Sequence, residues 1–302
     1  MDLKVKLGDI ELQNPVIPAS GCFGFGYEMN KYYPIDILGS ISIKGTTLDG
    51  RFGNPLPRVA ECHAGLINSV GLQNPGIEAV IANELPKLRE LFHQPIIANI
   101  SGFSIDEYVK CCRRMTVQPQ IAIIELNVSC PNVHGGGMSF GTDKSVLKEL
   151  VSEVKKVCTI PLYVKLSPNV TDIVSLAGAA IEGGADGICL INTLLGMRID
   201  IKTRKPVIAN VMGGFSGPAI LPVALRMVYQ VRKAFPEIPI IGCGGVSSPT
   251  ELIEMIMAGA DAVEIGAANL INPYACKEII DYLPEKLFSI GVESINECKI
   301  WK

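Results

Sequence analysis

The chain has 302 residues, 27 Lys and Arg against 30 Asp and Glu, a formal net charge of −3 and 48% hydrophobic residues. Apolar content this high with 19% charged residues excludes a disordered chain, and scattered Lys and Arg without a basic block argue against a nucleic-acid binder. No apolar run approaches the roughly 18 residues of a membrane-spanning helix, and the opening MDLKVKLGDIELQNP lacks the charged-then-apolar build of a signal peptide, so a cytoplasmic, reducing compartment is expected.

In chain order, LKVKLGDIELQ reads as a hairpin turning at Gly8-Asp9, expected to plug the bottom of the core that follows. Eight apolar, β-rich runs come next, at 15–20, 41–47, 95–101, 122–131, 162–168, 187–193, 238–246 and 262–268. Their near-continuous Ile, Val and Leu content suits parallel strands buried on both faces. Helical patterns lie at 76–91, 106–116, 144–157, 172–182, 218–235, 249–258 and 273–282. Asp106, Ser145 and Thr171 are candidate caps, and Pro218, Pro249 and Pro273 stand near first turns. GGADGI (183–188) and AGADAV (258–263) repeat one helix-to-strand junction, a glycine at the helix end followed by Ala-Asp and a buried strand. Two connections are oversized, 48–75 and 194–217, and long connections in compact domains are usually functional. The expectation is an α/β chain folded as a single (β/α)8 TIM barrel over 1–302, with an N-terminal hairpin at 1–13, long ordered loops over the C-terminal face, and a tail at 284–302. Barrels of about 250 residues form single units.

Barrel chemistry sits where strands end. Those ends carry Ser20, Lys44, Asn99, Asn127, Cys130, Lys165, Asn192, Thr193, Gly244 and Gly266. A lysine or asparagine at a buried strand end is costly without a partner, so two lysines and several amides at one mouth suggest a polar, planar, anionic ligand. The clusters FSGPA (215–219), GCGGV (242–246) and GAAN (266–269) follow strands six, seven and eight. Such loops offer backbone N–H groups to a phosphate. A flavin mononucleotide suits this set better than a sugar phosphate, with Asn99, Asn127 and Lys165 lining its ring. No GxGxxG occurs, since Ser247 stands where the last glycine would be after Gly242, so a dinucleotide site in this chain is unsupported.

The ten cysteines include no CxxC pair, so the usual local ligands of a zinc ribbon or iron–sulfur cluster are missing. Most read as small buried hydrophobes. Cys130 differs: in NVSCPN (127–132) it leaves a strand between Asn127 and Asn132, ahead of the glycine-rich HGGGMSFG, a kind of loop that can fold over a substrate. A desolvated thiol there could take a proton from carbon. His63, His93 and His134 show no ligand spacing and read as surface or loop residues, and Met255 and Met257 as packing residues.

Taken together, ASGCFGFG (19–26), KGTT (44–47), RFGNPLPR (51–58), NSVGLQNPG (68–76), LNVSCPN (126–132), YVKLSPN (163–169), INTLLGMRID (191–200) and GGFSGPA (213–219) resemble class 1 dihydroorotate dehydrogenases over essentially the whole chain. ASGCFGFG, LQNPG and INTLLGMRID, with Asn192-Thr193 in place of an Asn-Ser pair, are similar to subclass 1B, whose catalytic subunit works with an iron–sulfur flavoprotein. The resemblance implies oxidation of dihydroorotate to orotate, with Cys130 as the base at C5 and hydride passing from C6 to FMN. It implies that Lys44 touches flavin and substrate, and that Asn68, Ser69, Val70, Gly71, Leu72, Asn127, Asn132, Asn192 and Thr193 surround the substrate. Ser20, Gly45, Asn99, Asn127, Lys165 and Ile191 would contact the flavin, Lys165 stabilising charge on the reduced ring. Gly217, Cys243, Gly244, Gly245, Gly266 and Ala267 would surround its phosphate. Electrons would reach NAD+ through a partner subunit carrying FAD and a [2Fe–2S] cluster, in a heterotetramer of two catalytic and two partner subunits.

Two departures stand out. Ala267 occupies a position where relatives commonly have threonine, removing one hydroxyl contact, and Gly45 replaces a frequent alanine and is expected to loosen the loop beneath the flavin. Three rival readings leave other traces: a dihydropyrimidine dehydrogenase-like subunit taking uracil-type substrates, an aldolase using Lys165 as a Schiff base, and a flavin-binding subunit without catalysis.

Overall fold

The computed structural model of the chain describes residues 1–128 and 140–300. It opens with an antiparallel hairpin, β1 (Val5–Leu7) and β2 (Ile10–Leu12), with Leu7 opposite Ile10 across the Gly8-Asp9 turn. Val5, Leu7 and Leu12 are buried while Lys4, Lys6 and Glu11 are exposed, the alternation of a half-buried ribbon. A Cβ at Gly8 would lie 3.9 Å from Pro239 Cγ, just ahead of the seventh barrel strand, so the hairpin closes the N-terminal end of the barrel.

The strands β3 (Val16–Pro18) and β4 (Ile41–Ser42) follow. The first long connection forms β5 (Val59–Cys62) and β6 (Gly65–Asn68) before α1 (Ile77–Ala79) and α2 (Leu85–Arg89), which a π-turn at Val80–Glu84 joins. The alternation continues with β7 (Ile96–Ile100), α3 (Ile105–Met115), β8 (Ile121–Asn127), α4 (Lys144–Lys155), β9 (Leu162–Leu166), α5 (Ile173–Glu182) and β10 (Gly187–Leu190). The second long connection holds β11 (Leu194–Met197), β12 (Ile199–Asp200), β13 (Lys205–Pro206) and β14 (Met212–Ser216). The chain then runs through α6 (Leu221–Ala234), β15 (Ile240–Cys243), α7 (Pro249–Ala258), β16 (Ala262–Ile265), α8 (Ala268–Ile271) and α9 (Ala275–Ser289).

All eight expected strands lie in one parallel sheet ordered β3-β16-β15-β10-β9-β8-β7-β4. At the seam between β3 and β4, Gly39 N–H donates to the Val16 carbonyl at 3.1 Å. This is the expected (β/α)8 barrel. Every residue of β7, β9, β10, β15 and β16 is buried, as strands covered on both faces require. The repeated junction is also real: Asp186 and Asp261 each donate their backbone N–H to the strand before, at Leu162 and Ile240, and each accepts that residue's N–H on a carboxylate oxygen at 2.8 and 2.9 Å.

Several boundaries differ from the sequence reading. The caps are Ser104, Asp143 and Asp172, which accept from the Glu107, Ser145 and Ser175 backbone N–H groups, not Asp106, Ser145 and Thr171. Asp106, in the first turn, instead pairs with Lys110 one turn on, at 2.6 Å. The last helix does not stop before Pro284 but runs through it to Ser289. The segment beyond is tied to the N-terminus: Ile295 N–H donates to the Asp2 carbonyl at 3.0 Å and Asn296 Nδ2 to the Lys4 carbonyl at 2.8 Å. Met255 is in the core, as expected, whereas Met257 lies at the surface. His63 and His93 are exposed, and His134 lies outside the described residues.

The largest addition concerns the two long connections. They pair with each other in an antiparallel sheet ordered β11-β14-β6-β5, with Gly214 opposite Asn68 and Phe215 opposite Ile67. That sheet roofs the C-terminal mouth of the barrel. Among the described residues no helix is long and apolar enough to cross a membrane.

Candidate active site

Beneath the roof lies a cavity of about 800 Å³, within the range of cofactor and small-molecule sites. Its floor comes from strand ends: Ser20, Lys44, Gly45, Asn99, Asn127, Lys165 and Ile191. One side is built from the roof and its neighbours, Asn68, Val70, Gly71, Leu72, Asn192 and Thr193. The other carries Gly217, Cys243, Gly244, Gly245, Gly266 and Ala267. The site residues expected from the sequence therefore converge on one cavity, with two kinds of exception. Cys130 and Asn132 lie outside the described residues. Ser69 is fully buried off the cavity, where its hydroxyl accepts from Asn54 Nδ2 at 3.1 Å and Asn210 Nδ2 at 2.9 Å, tying the two roof loops together.

The amide side is held by its own hydrogen bonds. Asn192 Nδ2 donates to Asn127 Oδ1 at 3.1 Å, and Asn192 Oδ1 accepts from the Thr193 N–H at 2.7 Å. Asn68 Nδ2 donates to the Gly214 carbonyl at 3.3 Å. Buried Asn74 shapes the loop bearing Asn68 to Leu72: its amide donates to Thr47 Oγ1 and the Leu72 carbonyl, both at 2.7 Å, and accepts from the Gly76 N–H at 2.8 Å. Orienting amides through such bonds lowers the reorganisation needed when a ligand arrives.

At the opposite side the glycine loops converge. Gly244 and Gly245 have φ of +133° and +79°, backbone that glycine adopts without a Cβ penalty. A Cβ on Gly245 would sit 2.6 Å from the Leu221 backbone nitrogen, so the turn lies directly against the start of α6. At Gly266 a Cβ would meet nothing closer than Ala19 Cβ at 3.8 Å and Cys22 Sγ at 3.9 Å; that position opens onto the cavity. This is the geometry in which loop amides and a helix start meet a phosphate.

At the floor, Lys165 is 5% exposed and contacts two carboxylates that are 0% exposed. Its Nζ bonds Glu264 Oε2 and lies 3.6 Å from Glu125 Oε1. Burial alone would lower the Lys165 pKa, but the Glu125 and Glu264 charges outweigh it and hold the ammonium well above its ordinary range. Glu125 Oε1 also accepts from Asn99 Nδ2 at 2.5 Å and Ser42 Oγ at 3.3 Å. Sequence reading missed both glutamates, although a charged residue inside a strand buried on both faces was a visible signal. It also missed roof residues that line the cavity, among them Val59, Glu61 and Leu66.

Of the nine described cysteines, seven are buried and Cys22 and Cys62 are partly exposed. Cys243 lines the cavity, but burial pushes its thiol pKa up, Lys165 countering only part of the effect. It is a packing neighbour of the loop rather than a thiolate.

The dihydroorotate dehydrogenase family profile matches residues 2–287. Curated relatives of nearly the same length are similar throughout. A protein of Enterococcus faecalis strain V583 is 54% identical over 295 residues, 98% of this chain and 94% of that one. One of Listeria monocytogenes serotype 4a is 54% identical over 297 residues, 98% and 97% of the two chains. One of Bacillus pumilus is 53% identical over 302 residues, 99% and 97%. Each is named dihydroorotate dehydrogenase B (NAD(+)), catalytic subunit.

Proposed function

The chain belongs to the dihydroorotate dehydrogenase family, and we propose that it oxidises (S)-dihydroorotate to orotate, the redox step of de novo pyrimidine synthesis, in the cytoplasm. The observation that carries this reading is one cavity with lysines and asparagines at floor and side and glycine loops at the far end. FMN, when bound, supplies the hydride acceptor. The residues present fit that group: Gly266 leaves room where a side chain would project, the turn at Gly244-Gly245 abuts the start of α6, and buried Asn99 Oδ1 has no hydrogen-bond partner among the described residues.

Gly217, Gly244, Gly245, Gly266 and Ala267 would hold the phosphate through backbone N–H groups, which the absent threonine hydroxyl at 267 does not alter. Lys165, buried at the cavity floor, would hold its ammonium toward the flavin and favour negative charge there in a water-poor site. Lys44, Asn68, Asn127, Asn192 and Thr193 hold the substrate ring and carboxylate, so that binding energy becomes orientation. Cys130 takes the C5 proton as hydride leaves C6; a thiol of ordinary pKa near 8.5 needs nearby cations and amide dipoles to act as the thiolate. Asn132 supports the carboxylate beside it. With no dinucleotide fingerprint in the chain, NAD+ is served by a partner subunit carrying FAD and [2Fe–2S], two of each subunit forming the assembly.

The test is turnover of the purified chain with a dye acceptor, supplied with dihydroorotate or dihydrouracil. Orotate formation from the first and no product from the second is expected. Preference for dihydrouracil would overturn the reading in favour of a dihydropyrimidine dehydrogenase-like subunit.

A further inference from the structure

The floor of the cavity contains a charge problem. Glu125 and Glu264 are each 0% exposed, on strands β8 and β16, and the described cation in contact with them is Lys165. Oxygens of the two carboxylates and the Cys189 thiol all lie within 4.8 Å of one another. Two of the carboxylate oxygens, Glu125 Oε2 and Glu264 Oε1, have no hydrogen-bond partner among the described residues. Two ionised carboxylates this close and this dry, with one ammonium, leave a net negative charge and two unsatisfied acceptors, an arrangement that buried sites do not sustain.

A single proton resolves both difficulties. We propose that Glu125 and Glu264 share one proton and act as positioning residues for Lys165, so that the three side chains carry no net charge and the ammonium stays fixed at the cavity floor. The shared proton turns one orphan oxygen into a donor. Lys165 then keeps one full counter-charge, and its remaining field points into the cavity. This deepens the flavin reading, because the cation so held is the one that would face FMN.

The surroundings agree. Around the cluster stand Ser42 on β4, Asn99 on β7, Cys189 on β10, Cys243 on β15 and Cys22 after β3, with Lys44 after β4 the next cation. Burial, then the neighbouring Glu264, pushes Cys189 well up, so it stays a thiol. Cys22 is likewise pushed up by burial to about 11. Burial first, then the Glu125 charge, pushes Glu264 up to about 8. Glu125 is lowered instead, Lys165 and the hydrogen bonds from its neighbours outweighing its burial. The proton therefore belongs to the glutamate pair at neutral pH, held between the two carboxylates beside Lys165.

Two measurements test this. Infrared spectroscopy of the wild-type chain, with and without FMN, should show a buried protonated carboxyl carbonyl band at pH 7 that disappears as the pH rises past about 8. The band should be absent from both Glu264→Gln and Glu125→Gln, because the glutamate left behind ionises as the sole counter-ion of Lys165. Absence of the band in the wild type at pH 7 would overturn the proposal whether or not the variants fold. The second measurement is the midpoint potential of bound FMN against pH. Both single variants should match the wild type near neutrality and lie above it at alkaline pH, where only the wild type gains a negative charge. A positive shift in both variants already at pH 7 would mean that both carboxylates were ionised, and would overturn the proposal. A wild-type chain that shows the band but binds no FMN would sink the flavin reading and leave the shared proton standing.

Discussion

A Cβ on Gly45 would lie 2.7 Å from Asn99 Oδ1. The sequence led us to expect that glycine here loosens the loop beneath the flavin. The structure gives another reason for it: the loop is pinned, with Lys44 N–H on the Gly24 carbonyl at 3.1 Å and Thr46 N–H on the Asn99 carbonyl at 3.0 Å, and glycine makes room for the Asn99 amide. Gly45→Ala would push that amide off Glu125, a modest overpacking effect of about 1 kcal/mol. FMN binding to the apoprotein should weaken about fivefold, read by flavin fluorescence titration. An unchanged dissociation constant would show that Asn99 does not depend on the space Gly45 leaves.

The two repeated junctions differ in what they hold. Asp186 pairs with the half-exposed Lys155, whereas Asp261 binds buried Arg232 at 2.7 Å and also Lys299 at 2.8 Å. Removing a partner from a buried charge costs more than removing an exposed one. Asp261→Ala should destabilise the protein by about 3 kcal/mol and Asp186→Ala by about 1 kcal/mol. Urea unfolding measures both, and the reverse ranking would contradict the account.

Stability of the apoprotein should depend on pH through Glu264. Its folded pKa is raised from 4.5 to about 8, by burial and then Glu125, so between those values the folded chain holds a proton that the unfolded chain releases. The stabilisation linked to that proton is complete below 4.5 and is lost as the pH rises through about 8. Lys165, raised above 10.5, and Glu125, lowered below 4.5, titrate outside this window. Calorimetric melting between pH 5 and 8 should therefore show a decline that Glu264→Gln flattens. Parallel slopes in the two proteins would count against it.

Cys130→Ala removes the proposed base and leaves the cavity floor intact. FMN binding should be unchanged, while reduction by dihydroorotate at neutral pH slows by about 10²–10⁴-fold, the usual contribution of a general base. Wild-type rates in this variant would remove Cys130 from the reaction.

How much was legible follows from the range of each signal. The strands could be read because burial on both faces leaves a local, continuous apolar record, as in PIIANIS and LYVKLSP. The junction at Asp186 and Asp261 was legible because it repeats. The two long loops were legible as ordered cover for the C-terminal face, but their pairing into one sheet was not, because Asn68 and Gly214 are far apart in sequence and nothing local in either loop specifies its partner. The Pro284 boundary failed because a proline inside a helix forfeits a hydrogen bond, yet the flanking Leu283 and Leu287 are buried and packing keeps the helix whole. The glutamates were overlooked because Glu125 and Glu264 lie inside strands, whereas attention fell on the strand ends.

Anaerobic mixing of the FMN-loaded chain with one equivalent of dihydroorotate, followed by absorbance in a single turnover, tests the central claim most directly. The account predicts loss of the yellow oxidised-flavin band and formation of stoichiometric orotate. A flavin band that persists with dihydroorotate would contradict it.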